Sequence, residues 1–262
     1  MIKQVSLNQL LRVWILARVT LTSILFALST NTLADTLHIA VASNFIAPIK
    51  QLATQFEQET NNQLQLSFAS SGKLFAQIQH GAPFDVFLSA DNIKPSTLVK
   101  QQLALPDSLI IYAQGKLVLW SINPMPSSLL KDSLLAAKRI AIANPKLAPY
   151  GKAAVESLRN LAIWPNVKGK LVQGENIAQA YQFVYSQNAD LGLIALSQVL
   201  SGKVQGHTQD ISDKLHRDIE QAAVILSGSQ KKVLAKAFMA YLMRPDVQEK
   251  IRQFGYSENK AR

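Results

Sequence analysis

Along this chain, short runs rich in β-branched residues alternate with longer segments whose apolar positions recur at helical spacing. The strand-like runs are Leu37 to Ala42, Leu64 to Ala69, Arg139 to Ala143 and Lys170 to Gln173. The helix-like segments are 46–59, 74–80, 95–102, 153–161 and 178–185. Alternation of this kind predicts βαβ units built on mainly parallel sheets. Two stretches break the rhythm: a long β-rich run over 108–121, and a second over 219–227. In a chain that leaves one lobe and later returns to it, two such runs are the natural crossings. Segments 231–243 and 245–254 then read as two helices that rejoin the first lobe. The expected division is a leader at 1–34, a first lobe at 35–117, a second lobe at 118–222 and a return to the first lobe at 223–262.

At four places a strand runs directly into a helix, and the junction holds Ser, Asn, Gly or Pro. These are Ser43-Asn44, Ser70-Ser71-Gly72, Pro149-Tyr150-Gly151 and Asn176-Ile177. The first turn of a helix leaves backbone N–H groups unpaired and carries about half a positive charge. Several such ends converging on one cleft would bind a small anion, and four of them would roughly balance a dianion. Ser and Asn are also preferred N-caps, so each taken singly has a purely structural account.

The N-terminal 34 residues carry Lys3, Arg12 and Arg18, no acid, an apolar stretch from Val19 to Leu28, and Thr32-Leu33-Ala34 before Asp35. That order is a secretory signal peptide with cleavage after Ala34. The uninterrupted apolar run is about half of the roughly 20 residues that a spanning helix needs. The whole chain has a formal charge of +10, and with three basic residues in the leader the remainder carries +7. A positive balance steers anions toward the surface. No basic block with interleaved aromatics points to nucleic acid. With no Cys, disulfides, thiolate metal sites and a cysteine nucleophile are excluded, and so is a lipid anchor on Cys.

Catalytic readings find little support. Ser70 and Lys73 have the Ser-x-x-Lys spacing of penicillin-recognising enzymes, but the partner motifs Ser-Asp-Asn and Lys-Thr-Gly do not occur. His38, His80, His207 and His216 show no metal-ligand spacing. Asp85 and Asp91 lie too far apart along a strand to act as a pair, so structural roles are expected for both. Glu175, beside the fourth junction, would repel an anion if it pointed inward and is expected to turn outward.

The residues match a known family. Ala42-Ser43-Asn44-Phe45, Ser67 through Gly72, the block from Gly81-Ala82-Pro83-Phe84-Asp85 to Ser89-Ala90-Asp91, Asn144-Pro145 with Pro149-Tyr150-Gly151, and Phe254-Gly255-Tyr256 occur in that family's order. The chain resembles the periplasmic molybdate-binding proteins of bacterial ABC transporters. The resemblance implies an α/β, two-lobed type II periplasmic binding fold that closes on molybdate or tungstate and delivers it to a membrane permease with its ATPase subunit. It implies no catalysis, no cofactor and no nucleic-acid partner, a monomer in the periplasm, and molybdenum held only as the oxyanion. The ligand set it implies is Ser43 and Ser71 through hydroxyl and backbone N–H, the backbone N–H groups of Tyr150 and Ile177, and Asn44 as a further ligand. Some members supply a Tyr hydroxyl from the 191–196 region, where this chain has Ala195; the Tyr150 phenol could substitute for it. A receptor for sulfate, thiosulfate or phosphate is the alternative in the same class. A serine hydrolase and a regulatory effector domain are the alternatives outside it.

Overall fold

The computed structural model describes residues 34–258 except position 203; the expected leader lies outside the described residues apart from Ala34. The first part of the chain forms β1 (Thr36–Ala42), a 3-10 turn at Ser43–Phe45, α1 (Ile46–Thr60), β2 (Gln63–Ala69), α2 (Ser71–Gln79), β3 (Val86–Ser89), α3 (Ile93–Lys100) and β4 (Ile110–Gly115). Next come β5 (Leu117–Ser121), α4 (Leu130–Ala136), β6 (Ile140–Ala143), α5 (Pro149–Asn160), α6 (Trp164–Val167), β7 (Leu171–Gly174), α7 (Ile177–Tyr185), β8 (Leu191–Ala195), α8 (Leu196–Ser201) and β9 (His207–Asp210). β10 (Ile219–Ile225), α9 (Lys232–Leu242) and α10 (Pro245–Gln253) close the chain.

These strands make two five-stranded sheets, ordered β2-β1-β3-β10-β4 and β7-β6-β8-β5-β9. β1 pairs in parallel with β2 and β3, and β6 in parallel with β7 and β8. The fourth strand of each sheet, β10 or β5, runs antiparallel to both its neighbours. Each sheet is therefore mainly parallel, and each takes its reversed strand from a stretch that crosses between sheets. The β-rich run at 108–121 divides at Lys116: β4 belongs to the first sheet and β5 to the second. The return is complete before Ile219, because all of β10 lies in the first sheet, so a division at 222/223 would cut that strand.

In β1 the larger side chains Leu37, Ile39 and Val41 face a core built with Ile49, Leu52 and Phe56 of α1 and with Phe238 and Leu242 of α9. The alternate residue Ala40 faces Leu74 and Ile78 of α2 and Leu98 of α3. One face of the strand thus receives long side chains, while the other lets a helix approach an alanine. Around the second sheet, Leu134, Ala154, Leu158 and Val184 cover Val118, Ile140, Ile142 and Leu193. Ala42 and Ala90, at the ends of first-sheet strands, pack into that second cluster, so the two halves meet directly.

Gly151 sets how near α5 comes to β6. A Cβ there would stand 2.1 Å from the Ala143 carbonyl oxygen, whereas one on Gly169 would meet nothing within 4 Å. Gly151→Ala is expected to lower unfolding free energy by about 1–3 kcal/mol, the usual cost of forced overpacking. Gly169→Ala should leave it unchanged. Urea denaturation of the two variants checks the contrast.

Candidate functional site

The four strand-to-helix junctions come together. The turn at Ser43–Phe45 packs on α7. The Gly72 N–H at the start of α2 donates to the Leu147 carbonyl, two residues before α5, at 2.8 Å. Lys73 of α2 pairs with Glu175, just ahead of α7, at 2.9 Å. Two helix starts from each sheet thus lie against one another where the sheets meet. The Gly72 bond depends on a missing side chain, since a Cβ at this position would lie 2.8 Å from the Leu147 carbonyl oxygen and 3.0 Å from its Cα.

Each junction offers donors of a particular kind. Ser70 is the N-cap of α2 and its Oγ accepts the Lys73 N–H, which commits it to the helix. Ser71, the first residue of that helix, is buried, and its Oγ accepts the Ala90 N–H at 2.9 Å. A hydroxyl that accepts one bond still has its own proton to donate. Ser43 is also buried, and its hydroxyl has no hydrogen-bond partner among the described residues. Tyr150 and Ile177 occupy the first turns of α5 and α7, where backbone N–H groups have no intrahelical acceptor. Asn176 caps α7 by accepting the Gln179 N–H at 3.1 Å.

The structure changes the picture of Asn44. Its Nδ2 donates to Gln221 Oε1 at 2.7 Å and to Tyr256 Oη at 2.9 Å. Both amide protons are therefore consumed inside the protein, and the side chain cannot act as the further ligand that the resemblance implied. What Asn44 can offer an anion is its backbone N–H.

The phenol of Tyr150 points toward the same interior cluster. A Cβ on Gly115 would stand 2.1 Å from Tyr150 Oη and 2.9 Å from Gln221 Nε2. The Tyr150 and Tyr112 hydroxyls are both buried without a hydrogen-bond partner. Glycine at 115, beside the crossing into the second sheet, makes room for the phenol. The phenol thus lies where the sheets exchange strands with its proton unspent, so this residue has two donors, that hydroxyl and its backbone N–H.

Two carboxylates are paired with lysines here: Glu175, next to Asn176, and Asp91, next to the Ala90 that bonds Ser71. Glu175 meets Lys73, and Asp91 accepts the Lys94 N–H at 3.0 Å and pairs with the Lys94 ammonium. Asp85 is structural, accepting the His38 N–H at 2.8 Å and the Ser229 hydroxyl at 2.6 Å. No cluster of three or more His, Cys, Asp or Glu able to hold a metal occurs among the described residues. An open groove of about 1370 Å3 runs between α3 and α5, lined by residues such as Lys94, Lys152 and Glu156; Ser43, Asn44, Ser71, Tyr150 and Ile177 are not in it.

This arrangement of two joined sheets is matched among known proteins. Residues 37–257 fit the family described as bacterial extracellular solute-binding protein. The chain belongs to that family. It is 44% identical over 229 residues to the molybdate-binding protein ModA of Azotobacter vinelandii, spanning 85% of this chain and 90% of that protein. It is 41% identical over 221 residues to ModA of Rhodobacter capsulatus, spanning 83% and 86% respectively. The solved structure of the Azotobacter vinelandii periplasmic molybdate-binding protein superposes with a TM-score of 0.82 at 35% identity, covering 86% of this chain and all of that one. The chain is thus a solute-binding protein of the ModA group with the two-lobed type II fold.

The sequence carried no sign of the partners of Asn44. Gln221 and Ser197 sit in unremarkable stretches, and Tyr256 belongs to a closing motif whose role only the fold discloses. Burial holds the Tyr256 phenol up at about 12, and burial likewise pushes Tyr112 and Tyr150 well above the usual tyrosine value. A phenol that resists ionisation when folded but ionises near pH 10 when unfolded adds stability that is complete below pH 10 and lost as pH rises toward 12. Denaturation midpoints should therefore fall across that interval, and less steeply in Tyr256→Phe. Equal slopes in the two proteins would remove Tyr256 from the account.

Proposed function

We propose that this protein is the periplasmic receptor of an ABC importer and that it carries molybdate, and tungstate with it, as the tetrahedral dianion. What supports this reading is the character of the junctions: four helix starts and two buried Ser residues lie together, and Glu175 and Asp91 are each paired with a lysine. Its similarity to the ModA proteins, which are named for binding molybdate, supports the same ligand. The ligand set is Ser43 and Ser71 through hydroxyl and backbone N–H, with the backbone N–H groups of Asn44, Tyr150 and Ile177. Hydrogenphosphate keeps a proton at neutral pH and needs an acceptor, which a site made of donors does not supply. Sulfate is fully ionised but smaller, so it is the competitor to test.

Binding takes place without a chemical step. The anion enters between the sheets, gathers donors from both, and the cleft closes with the Gly72 to Leu147 bond and the Lys73–Glu175 pair joined across it. Partly exposed ion pairs contribute little by themselves. The Lys73–Glu175 pair serves mainly to hold the Glu175 charge away from the anion. The secretory leader takes the chain to the periplasm, where as a monomer it hands the anion to a membrane permease and its ATPase.

Thermal denaturation against a panel of oxyanions tests the reading. With free molybdate about 100-fold above its dissociation constant, stability should rise by roughly 2.7 kcal/mol, with a similar shift for tungstate. Sulfate and phosphate at the same concentration should do little. A larger shift with sulfate would reject the assignment.

Variants locate the donors. Ser43→Ala and Ser71→Ala each leave an anion oxygen short of a hydroxyl and should weaken calorimetric affinity by about 1–3 kcal/mol. Tyr150→Phe should bind like the parent, because the α5 N-terminus is unaltered. A tenfold loss in the Phe variant would mean that the phenol reaches the ligand.

A further inference from the structure

The short helix α8 holds two of the proposed ligand residues from behind. Ser197 is buried, and its Oγ donates to the Asn44 carbonyl at 2.9 Å. The next residue, Gln198, donates from Nε2 to the Ile177 carbonyl at 3.1 Å, and its Oε1 accepts the Ala195 N–H at 3.3 Å. Asn44 follows a strand of the first sheet, and Ile177 opens a helix on the second. Adjacent positions of one helix therefore grip backbone carbonyls from opposite sides of the cleft. Tyr256 Oη strengthens the first grip, lying 3.0 Å from the Asn44 carbonyl oxygen and 3.2 Å from Ser197 Oγ.

A carbonyl held in place fixes its own peptide plane, which carries the N–H of the next residue, and so anchors the turn in which the neighbouring N–H donors sit. We infer that Ser197 and Gln198 are positioning residues for the anion: by holding the Asn44 and Ile177 carbonyls they set the distance between donors on the two lobes, and so the size of oxyanion the closed cleft accepts. The inference rests on the proposed anion site. It gives a task to the segment that follows Ala195. The hydroxyl here comes from Ser197 and is spent on the protein backbone rather than on the anion. Preorganised donors raise affinity mainly by slowing release.

The test is calorimetric and stopped-flow titration of the full mature protein with molybdate and with sulfate, for the parent, Ser197→Ala, Ser197→Thr and Gln198→Ala. Ser197→Ala should weaken molybdate about 3- to 10-fold, the range for one lost internal hydrogen bond, through faster dissociation. The molybdate-to-sulfate affinity ratio should fall with it, and Ser197→Thr, which keeps the hydroxyl, should restore both. Gln198→Ala sits at a half-buried position and should show the same loss of ratio, which serves if Ser197→Ala does not fold. Unchanged ratios in both Ala variants, or equal weakening for both anions with a lowered melting temperature, would overturn the inference in favour of simple packing. If the parent binds sulfate and ignores molybdate, the molybdate reading fails, and the positioning role stands or falls on whether sulfate affinity drops in the Ala variants and returns in Ser197→Thr. If neither anion binds the parent, both readings fall.

Discussion

Every helix begins with backbone N–H groups that its own turns cannot satisfy, and here four of these beginnings are brought together where the two sheets meet. Unmet donors in a closed interior carry a free-energy cost comparable to several lost hydrogen bonds. That cost makes the cleft a place for an acceptor-rich guest. The remaining architecture serves this arrangement. Each sheet is mainly parallel, so its strands deliver their following helices to the same edge. The chain passes between the two sheets at Lys116 and again between β9 and β10.

Close approach of backbone to backbone is the second requirement, and glycine supplies it at two points. Gly72 lets the start of α2 bond directly to the loop before α5, and Gly151 lets α5 rest on the end of β6. Behind the donors lies a layer of buried polar groups, in which Asn44, Gln221, Tyr256 and Ser197 satisfy one another. This layer occupies the region where the chain exchanges sheets.

Much of the architecture was legible from periodicity. The alternation of strand and helix, the crossing within the 108–121 run and the returning C-terminal helices follow from where apolar residues recur. The helices begin at or near the Ser, Asn and Pro residues expected to start them, because capping chemistry and proline geometry act within a few residues of chain. α2 begins at Ser71 and α5 at Pro149, each slightly ahead of the start set by apolar spacing alone. Periodicity reports buried positions, whereas the first turn of these helices is polar.

The sequence by itself determined that this chain would be an α/β protein of alternating units, that its polar junctions would be helix starts, and which family its motifs resemble. Only the tertiary structure decided which donors remain available. Asn44 reads as an open amide in sequence, yet residues 177 and 212 positions away consume both of its protons. The Lys73–Glu175 pair and the grip of Ser197 and Gln198 likewise join segments with no local relation. Hydrogen-bond capacity is a property of neighbours in space, and a side chain's free donors are known only when every group packed against it is in place.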